Sequence, residues 1–157
     1  YQIKNNVRDD ELTPKDYYYL LLGQYDQTSK LIDSNANRGL VIADTNSLVT
    51  KGYYDYYMET EDQEDLSGET FDNLFASILA KEKWDLILFL QPVGSYVNDG
   101  FRDMTMAEDH IRYSFSQHLD QMRERYLTTI PLVYLAEDYL GNYEAAKVSI
   151  DAIYQAD

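Results

Sequence analysis

The sequence predicts an α/β fold, a parallel sheet flanked by helices, and three observations carry that prediction. Short apolar runs at 40–44, 84–91 and 130–135 lack the alternation of a half-exposed strand, as strands covered on both faces do. Segments with helical periodicity separate them. Each run gives way to polar residues, and in a parallel sheet the carboxyl ends of the strands form the ligand-binding edge. The expected order is α, β, α, α, β, α, β, α, with right-handed crossovers between successive strands.

Each element has its own local signal. Residues 1–12 are polar and without periodicity, and Thr13-Pro14-Lys15-Asp16 then supplies a cap, a proline at the first helical position and an acid three residues after the cap. Tyr17, Leu21, Tyr25, Thr28 and Ile32 recur at helical spacing until the pattern ends over 35–39. Leu40-Val41-Ile42-Ala43-Asp44 is the first strand, with Asp44 at the sheet edge. Thr45-Asn46-Ser47 can cap a second helix carrying Leu48, Val49, Tyr53, Tyr56 and Tyr57. The acidic run 59–65 reads as a solvated loop. Phe71, Leu74, Phe75, Ile78 and Leu79 follow the template of an amphipathic helix without a miss. The strand at 84–91 is stopped by Pro92, and a polar loop at 93–105 leads to a helix at 106–126 with Ile111, Phe115, Leu119, Met122 and Tyr126 on one face. The third strand has Pro131 at its entry, and Tyr143, Ala146, Ile150 and Ile153 mark a last helix. No internal repeat or low-complexity tract is present.

Length and composition fit one globular domain spanning 1–157. The net charge of −15 excludes direct nucleic-acid binding as an expected role, since phosphate contacts need Lys and Arg to replace released counterions. No stretch approaches the roughly 20 apolar residues of a membrane span, so no membrane partner is expected. The absence of cysteine excludes disulfides, a thiol nucleophile and thiolate metal sites, and is compatible with the cytosol. The 16 tyrosines are the compositional oddity, and packing is the expected role of most of them.

Two strand ends concentrate chemically useful residues. Val41-Ile42-Ala43-Asp44 projects a carboxylate from an apolar strand, where it suits magnesium held through water or an attacking hydroxyl, or else simply caps the next helix. Gly94-Ser95-Tyr96-Val97-Asn98-Asp99-Gly100-Phe101-Arg102-Asp103 puts a ring, an amide, a carboxylate and a guanidinium in one loop. Those types can stack a base or pyridine ring, grip ribose hydroxyls and contact phosphate, although Asn-Asp-Gly is also ordinary turn chemistry. Arg112 lies further along and can point back toward the same cleft. His110 and His118 are two helical turns apart, too far in rise to share a metal, and read as surface or packing residues. No Gly-Lys-Ser or Gly-Lys-Thr occurs, and Gly23, Gly39 and Gly52 are isolated, so no phosphate-cradling loop lies within the chain.

With these motifs placed, the chain resembles the ribosylnicotinamide kinase domain of NadR-type proteins, within the P-loop kinases. In that family a strand ends in Asp-Thr-Asp, followed by paired threonines and a Tyr-rich helix. Asp44-Thr45-Asn46-Ser47-Leu48-Val49-Thr50-Lys51 and the tyrosines from Tyr53 to Tyr57 look like it. Leu22-Gly23-Gln24 matches a Leu-Gly-Gln in the family's preceding helix. The family then has Tyr-Asp, an apolar strand and Trp-Val-Asp-Asp-Gly-Leu-Arg-Asp. This chain has Trp84-Asp85, the strand, and Tyr96-Val97-Asn98-Asp99-Gly100-Phe101-Arg102-Asp103. Ile130-Pro131-Leu132-Val133-Tyr134 matches the strand after the family's long helix.

The resemblance implies a P-loop NTPase-like fold of nucleoside-kinase type and a cytoplasmic role in NAD salvage. The implied reaction transfers the γ-phosphoryl of ATP to the 5′-hydroxyl of nicotinamide riboside, giving nicotinamide mononucleotide, with ATP and Mg2+ as cofactors. Asp44 would stand near the attacking hydroxyl or magnesium, and Asn46, Asn98 and Asp99 would bind the riboside. Tyr96 would stack the pyridine ring, and Arg102, with Arg112, would neutralise developing phosphate charge. A nicotinamide mononucleotide adenylyltransferase domain, fused or separate, is the implied partner. The chain departs from the family where Asn46 and Asn98 replace acids and where Asn142 stands near a frequent Arg. The family's first strand, P-loop and first helix would precede Tyr1, so the expectation is the C-terminal portion of a longer polypeptide whose sheet needs a strand from elsewhere. The other reading is a degenerate module that binds a nucleoside or regulates without phosphoryl transfer.

Overall fold

The computed structural model describes residues 7–35, 39–58, 68–94, 96–100 and 102–155. The chain forms two compact units, Tyr1–Glu82 with Asn98–Asp103, and Lys83–Val97 with Met104–Asp157.

The first unit is helical. Helix α1 is Pro14–Asn35, α2 is Ser47–Met58 and α3 is Gly68–Leu79. The start of α1 follows its sequence signal, because Asp16 Oδ2 accepts from the Thr13 backbone N–H at 2.8 Å and from the Thr13 hydroxyl at 2.6 Å. Two otherwise orphaned groups at the helix entry are thereby satisfied. The three helices meet over an aromatic core. Tyr54 stacks on Phe71 at 3.9 Å between centroids, while Tyr17 meets Tyr54 and Tyr18 meets Phe71 edge to face. Leu21 and Phe71 are fully buried and Phe75 and Ile78 nearly so. Lys51 is buried at the same place, its ammonium paired with Asp55 of its own helix and with Asp72 of α3 at 2.9 Å. Burial pulls the Lys51 pKa down, but the hydrogen bonds and charges of the two aspartates outweigh it, so the net direction is upward.

In the second unit, β1 is Ile87–Leu90, α4 is Asp109–Tyr126, β2 is Leu132–Leu135 and α5 is Tyr139–Tyr154. The strands β1 and β2 are parallel, with Ile87 opposite Leu132 and Leu90 opposite Leu135. Pro131 sits where its missing N–H costs nothing and its carbonyl still accepts from Ile87 at 2.9 Å. The Tyr134 hydroxyl donates to Asp120 Oδ2 at 2.7 Å, and Arg123 closes the group onto both, which ties β2 to α4. Phe115, Met122, Leu127 and Leu135 form this unit's core.

The expected strand at 40–44 is not found. These residues form no ladder with any described residue, and Leu40 and Ile42 are 48% and 67% exposed while Val41 and Ala43 are half-buried. Strand structure requires a paired neighbour, and an unbroken apolar run does not supply one. The strand expected over 84–91 shortens to four residues for the same reason, since the ladder is limited by the length of β2. The helix expected from 106 begins instead as a 3-10 turn, Met104–Ala107, with Met106 buried, and becomes α-helical from Asp109. The acidic run 59–65 lies outside the described residues.

Candidate functional site

In the first unit, α1, the 44–45 bend and α2 line an open cavity of about 580 Å³. Asp44 lies on its wall beside Thr45, and the rings of Tyr17, Tyr53 and Tyr57 line it. Its dimensions and its mixed aromatic and polar lining suit a small ring-bearing ligand. Gly23 opens onto it from the middle of α1, where a Cβ would meet no atom within 4 Å. Gln24 spans the entrance of α2, its Nε2 donating to Thr45 Oγ1 at 2.7 Å and its Oε1 accepting from the Thr50 hydroxyl at 3.0 Å.

A buried aspartate is hydrogen-bonded to two residues of the cavity wall, Tyr57 and Asp9. Asp103 is 6% exposed, Tyr57 donates to its Oδ2 at 3.0 Å, and its backbone N–H donates to Asp9 Oδ2 at 3.3 Å. Burial, then the hydrogen bond to Asp103 and the charges of Asp103 and Asp9, push the Tyr57 pKa far above its ordinary value. Tyr17 is shifted upward as well, by burial first and then by Asp9, and its hydroxyl has no hydrogen-bond partner among the described residues. Both phenols are therefore neutral at physiological pH and present O–H groups, not phenolates.

The other expected site residues fall in distinct places. Asn46 caps α2, its Oδ1 accepting from the Val49 backbone N–H at 3.3 Å, and it does not line the cavity. Asn98 Oδ1 accepts from the Gly100 N–H at 2.8 Å, with Gly100 at φ 88°. Asp99 and Arg102 are brought together, Oδ1 accepting from the Arg102 backbone at 3.1 Å and Oδ2 from its Nε at 3.0 Å. Both side chains are about half exposed, so this pair is solvated and readily exchanged for another partner.

The second unit joins Tyr96 to Arg112. The guanidinium stands 6.0 Å from the Tyr96 ring centroid, donates to the Gly94 carbonyl at 3.0 Å and pairs with Asp109. Gly94 at φ 82° turns that carbonyl to it. Arg112 thus contacts the loop that opens at Gly94. His110 is exposed beside Glu108, and no group of three or more metal-ligating side chains occurs among the described residues. Asn142 exchanges two hydrogen bonds with the backbone of Glu137, at 3.0 and 2.9 Å, which fixes the start of α5.

Sequence reasoning placed Gln24, Tyr57 and Asp103 within motifs but gave none of them a role in the site. A signal existed for the first, in the glycine that precedes it within a helix, and for the last, as an acid closing a polar loop. Nothing in the sequence linked Tyr57 to Asp103, since 46 residues separate them.

The family model described as an AAA domain matches residues 3–137. Among solved structures, the chain is similar to one described as the crystal structure of NadR protein in complex with NR, with a TM-score of 0.76 and 31% identity. The match covers 99% of this chain and 40% of the other, so the chain spans well under half of that relative's length. No curated protein matches the chain at the required significance. No helix among the described residues is long and apolar enough to cross a membrane.

Proposed function

The chain belongs to the AAA domain family and is a P-loop kinase-type, NadR-like domain, and from that premise we propose that it serves as a nucleoside kinase acting on nicotinamide riboside. The reaction is attack of the riboside 5′-hydroxyl on the γ-phosphorus of ATP, with the hydroxyl proton lost and ADP leaving, to give nicotinamide mononucleotide. The observation that carries this reading is the tyrosine-walled cavity with Asp44 on its wall, in a chain 31% identical to a NadR protein in complex with NR.

In this reading Asp44 accepts from or orients the attacking hydroxyl, the neutral Tyr17 offers a donor, and Tyr17 and Tyr57 offer ring faces. Asn98 and Asp99, of the same unit as the cavity, bind ribose hydroxyls. Arg102, now paired with Asp99, is released to meet phosphate charge as it develops. Magnesium, which neutralises the β- and γ-phosphates, suits Asp44, because a hard cation that keeps most of its waters needs only one or two carboxylates. The sequence has no Gly-Lys-Ser or Gly-Lys-Thr, so in this reading the phosphate-binding loop is supplied from outside residues 1–157.

A second reading, a nucleoside-binding or regulatory module without turnover, is favoured by one observation. Asn46 and Asn98, at acidic positions of the family, both spend their amide oxygens on nearby backbone N–H groups. Calorimetric titration of nicotinamide riboside into the full-length protein tests the shared premise. Saturable binding that weakens in Asp99→Ala supports a riboside site, and no heat at any concentration contradicts both readings.

A further inference from the structure

Thr45 is the only non-glycine residue with a positive φ, 67°, among the described residues. A β-branched side chain in that region is a genuine outlier, maintained only where the surroundings over-determine it. The outlier immediately follows Asp44, and both residues line the cavity. What holds Thr45 is the Gln24 amide, which donates to Thr45 Oγ1 at 2.7 Å and accepts from Thr50 at 3.0 Å. Only a side chain with a donor at one end and an acceptor at the other joins these two hydroxyls with that polarity. Because Thr45 accepts from Gln24, its own hydroxyl proton is left to donate elsewhere. On the other side, Asn46 is anchored by capping α2, so the bend is pinned at both ends.

We propose that Gln24 is a positioning residue: its amide clamps the Asp44-Thr45 bend between α1 and α2, and so sets where the Asp44 carboxylate meets the hydroxyl of the bound nucleoside. The role rests on the nucleoside-kinase reading for its ligand, and on the hydrogen-bond geometry alone for its effect on the bend. It also accounts for Leu22-Gly23-Gln24 as a unit, the glycine leaving space in the cavity and the glutamine shaping its edge.

The test uses Gln24→Leu, which keeps the volume and helical propensity and removes both polar ends. Amide hydrogen exchange at Val49 and Thr50, whose N–H groups donate to the Asn46 carbonyl next to the bend, is expected to accelerate on the order of tenfold, the equivalent of a hydrogen bond or two, with α3 amides unchanged. Riboside affinity is expected to fall by about tenfold while the melting temperature stays within a few degrees. Thr45→Val should reproduce the loss and Thr45→Ser should restore wild-type affinity. The double variant Gln24→Leu/Thr45→Val should bind no more weakly than either single one, since one clamp is broken once. Unchanged exchange in Gln24→Leu overturns the proposal, as does accelerated exchange with unaltered affinity, or losses that multiply in the double variant. If the wild-type protein binds no riboside, the nucleoside reading fails by itself, and the exchange rates still decide whether Gln24 holds the bend.

Discussion

Replacing Tyr57 with Phe removes one oxygen and leaves the ring, so its cost isolates the contact to Asp103. That contact is a 3.0 Å hydrogen bond from a phenol to a carboxylate whose residue is only 6% exposed. A hydrogen bond to a charged acceptor contributes about 1.5–3 kcal/mol, and losing it leaves an oxygen that little water can reach. Tyr57 is itself only half-buried, so some solvent enters and the lower end applies. The expected loss is about 1.5 kcal/mol, which at a urea slope of about 2 kcal/mol per molar lowers the midpoint by roughly 0.8 M. Asp103→Asn is the control, because its amide oxygen still accepts from Tyr57 without the charge. In that background the Tyr57→Phe cost should fall to about 0.5–1 kcal/mol. Equilibrium urea denaturation followed by circular dichroism reads all four proteins. A Tyr57→Phe loss below about 0.5 kcal/mol, or an equal loss in both backgrounds, would refute the reasoning.

Three further outcomes follow from the same structure. Phe71→Ala, at a fully buried ring stacked on Tyr54, should cost about 3–5 kcal/mol in urea denaturation, and a loss under 1.5 would show that the aromatic core does not hold α1–α3 together. Tyr17 and Tyr57 bind their protons more tightly when folded, so the stability they confer is present below their unfolded pKa of about 10 and is lost as pH rises above it, by about 1.4 kcal/mol per pH unit for each. Ultraviolet titration should show phenols that ionise only as the chain unfolds, and reversible ionisation of every tyrosine near pH 10 in the folded state would contradict this. Arg102→Ala should lower kcat more than it raises the riboside KM, since the guanidinium meets charge that develops in the transition state, and a change in KM alone would contradict that role.

Much of the helical frame was legible from local chemistry. The Thr13-Pro14-Asp16 entry and the period of Phe71, Phe75 and Ile78 depend on neighbours within a turn or two, and both appear as expected. Strands are different, because an apolar run specifies burial and not a pairing partner. Thus 132–135 found its partner in 87–90, whereas 40–44 pairs with no described residue. At the site, Asp44, Asp99 and Arg102 were visible as chemistry-bearing residues at strand ends, and the structure puts Asp44 on a cavity and Asp99 against Arg102. The tyrosines divided in a way that composition could not foresee. Tyr54 packs in the core, Tyr53 lines the cavity, and Tyr57 does so while also donating to a buried acid. Gln24 stood out only as part of Leu22-Gly23-Gln24, and its contacts were hidden because its partners are 21 and 26 residues away and only the fold brings an amide of α1 to the bend before α2.

The central claim is tested most directly by incubating the full-length protein with nicotinamide riboside, ATP and Mg2+ and following nicotinamide mononucleotide by mass. The account predicts riboside-dependent formation of that product with one ADP for each, sharply reduced in Asp44→Asn. Riboside binding without any product would contradict the kinase assignment and leave a nucleoside-binding module in its place.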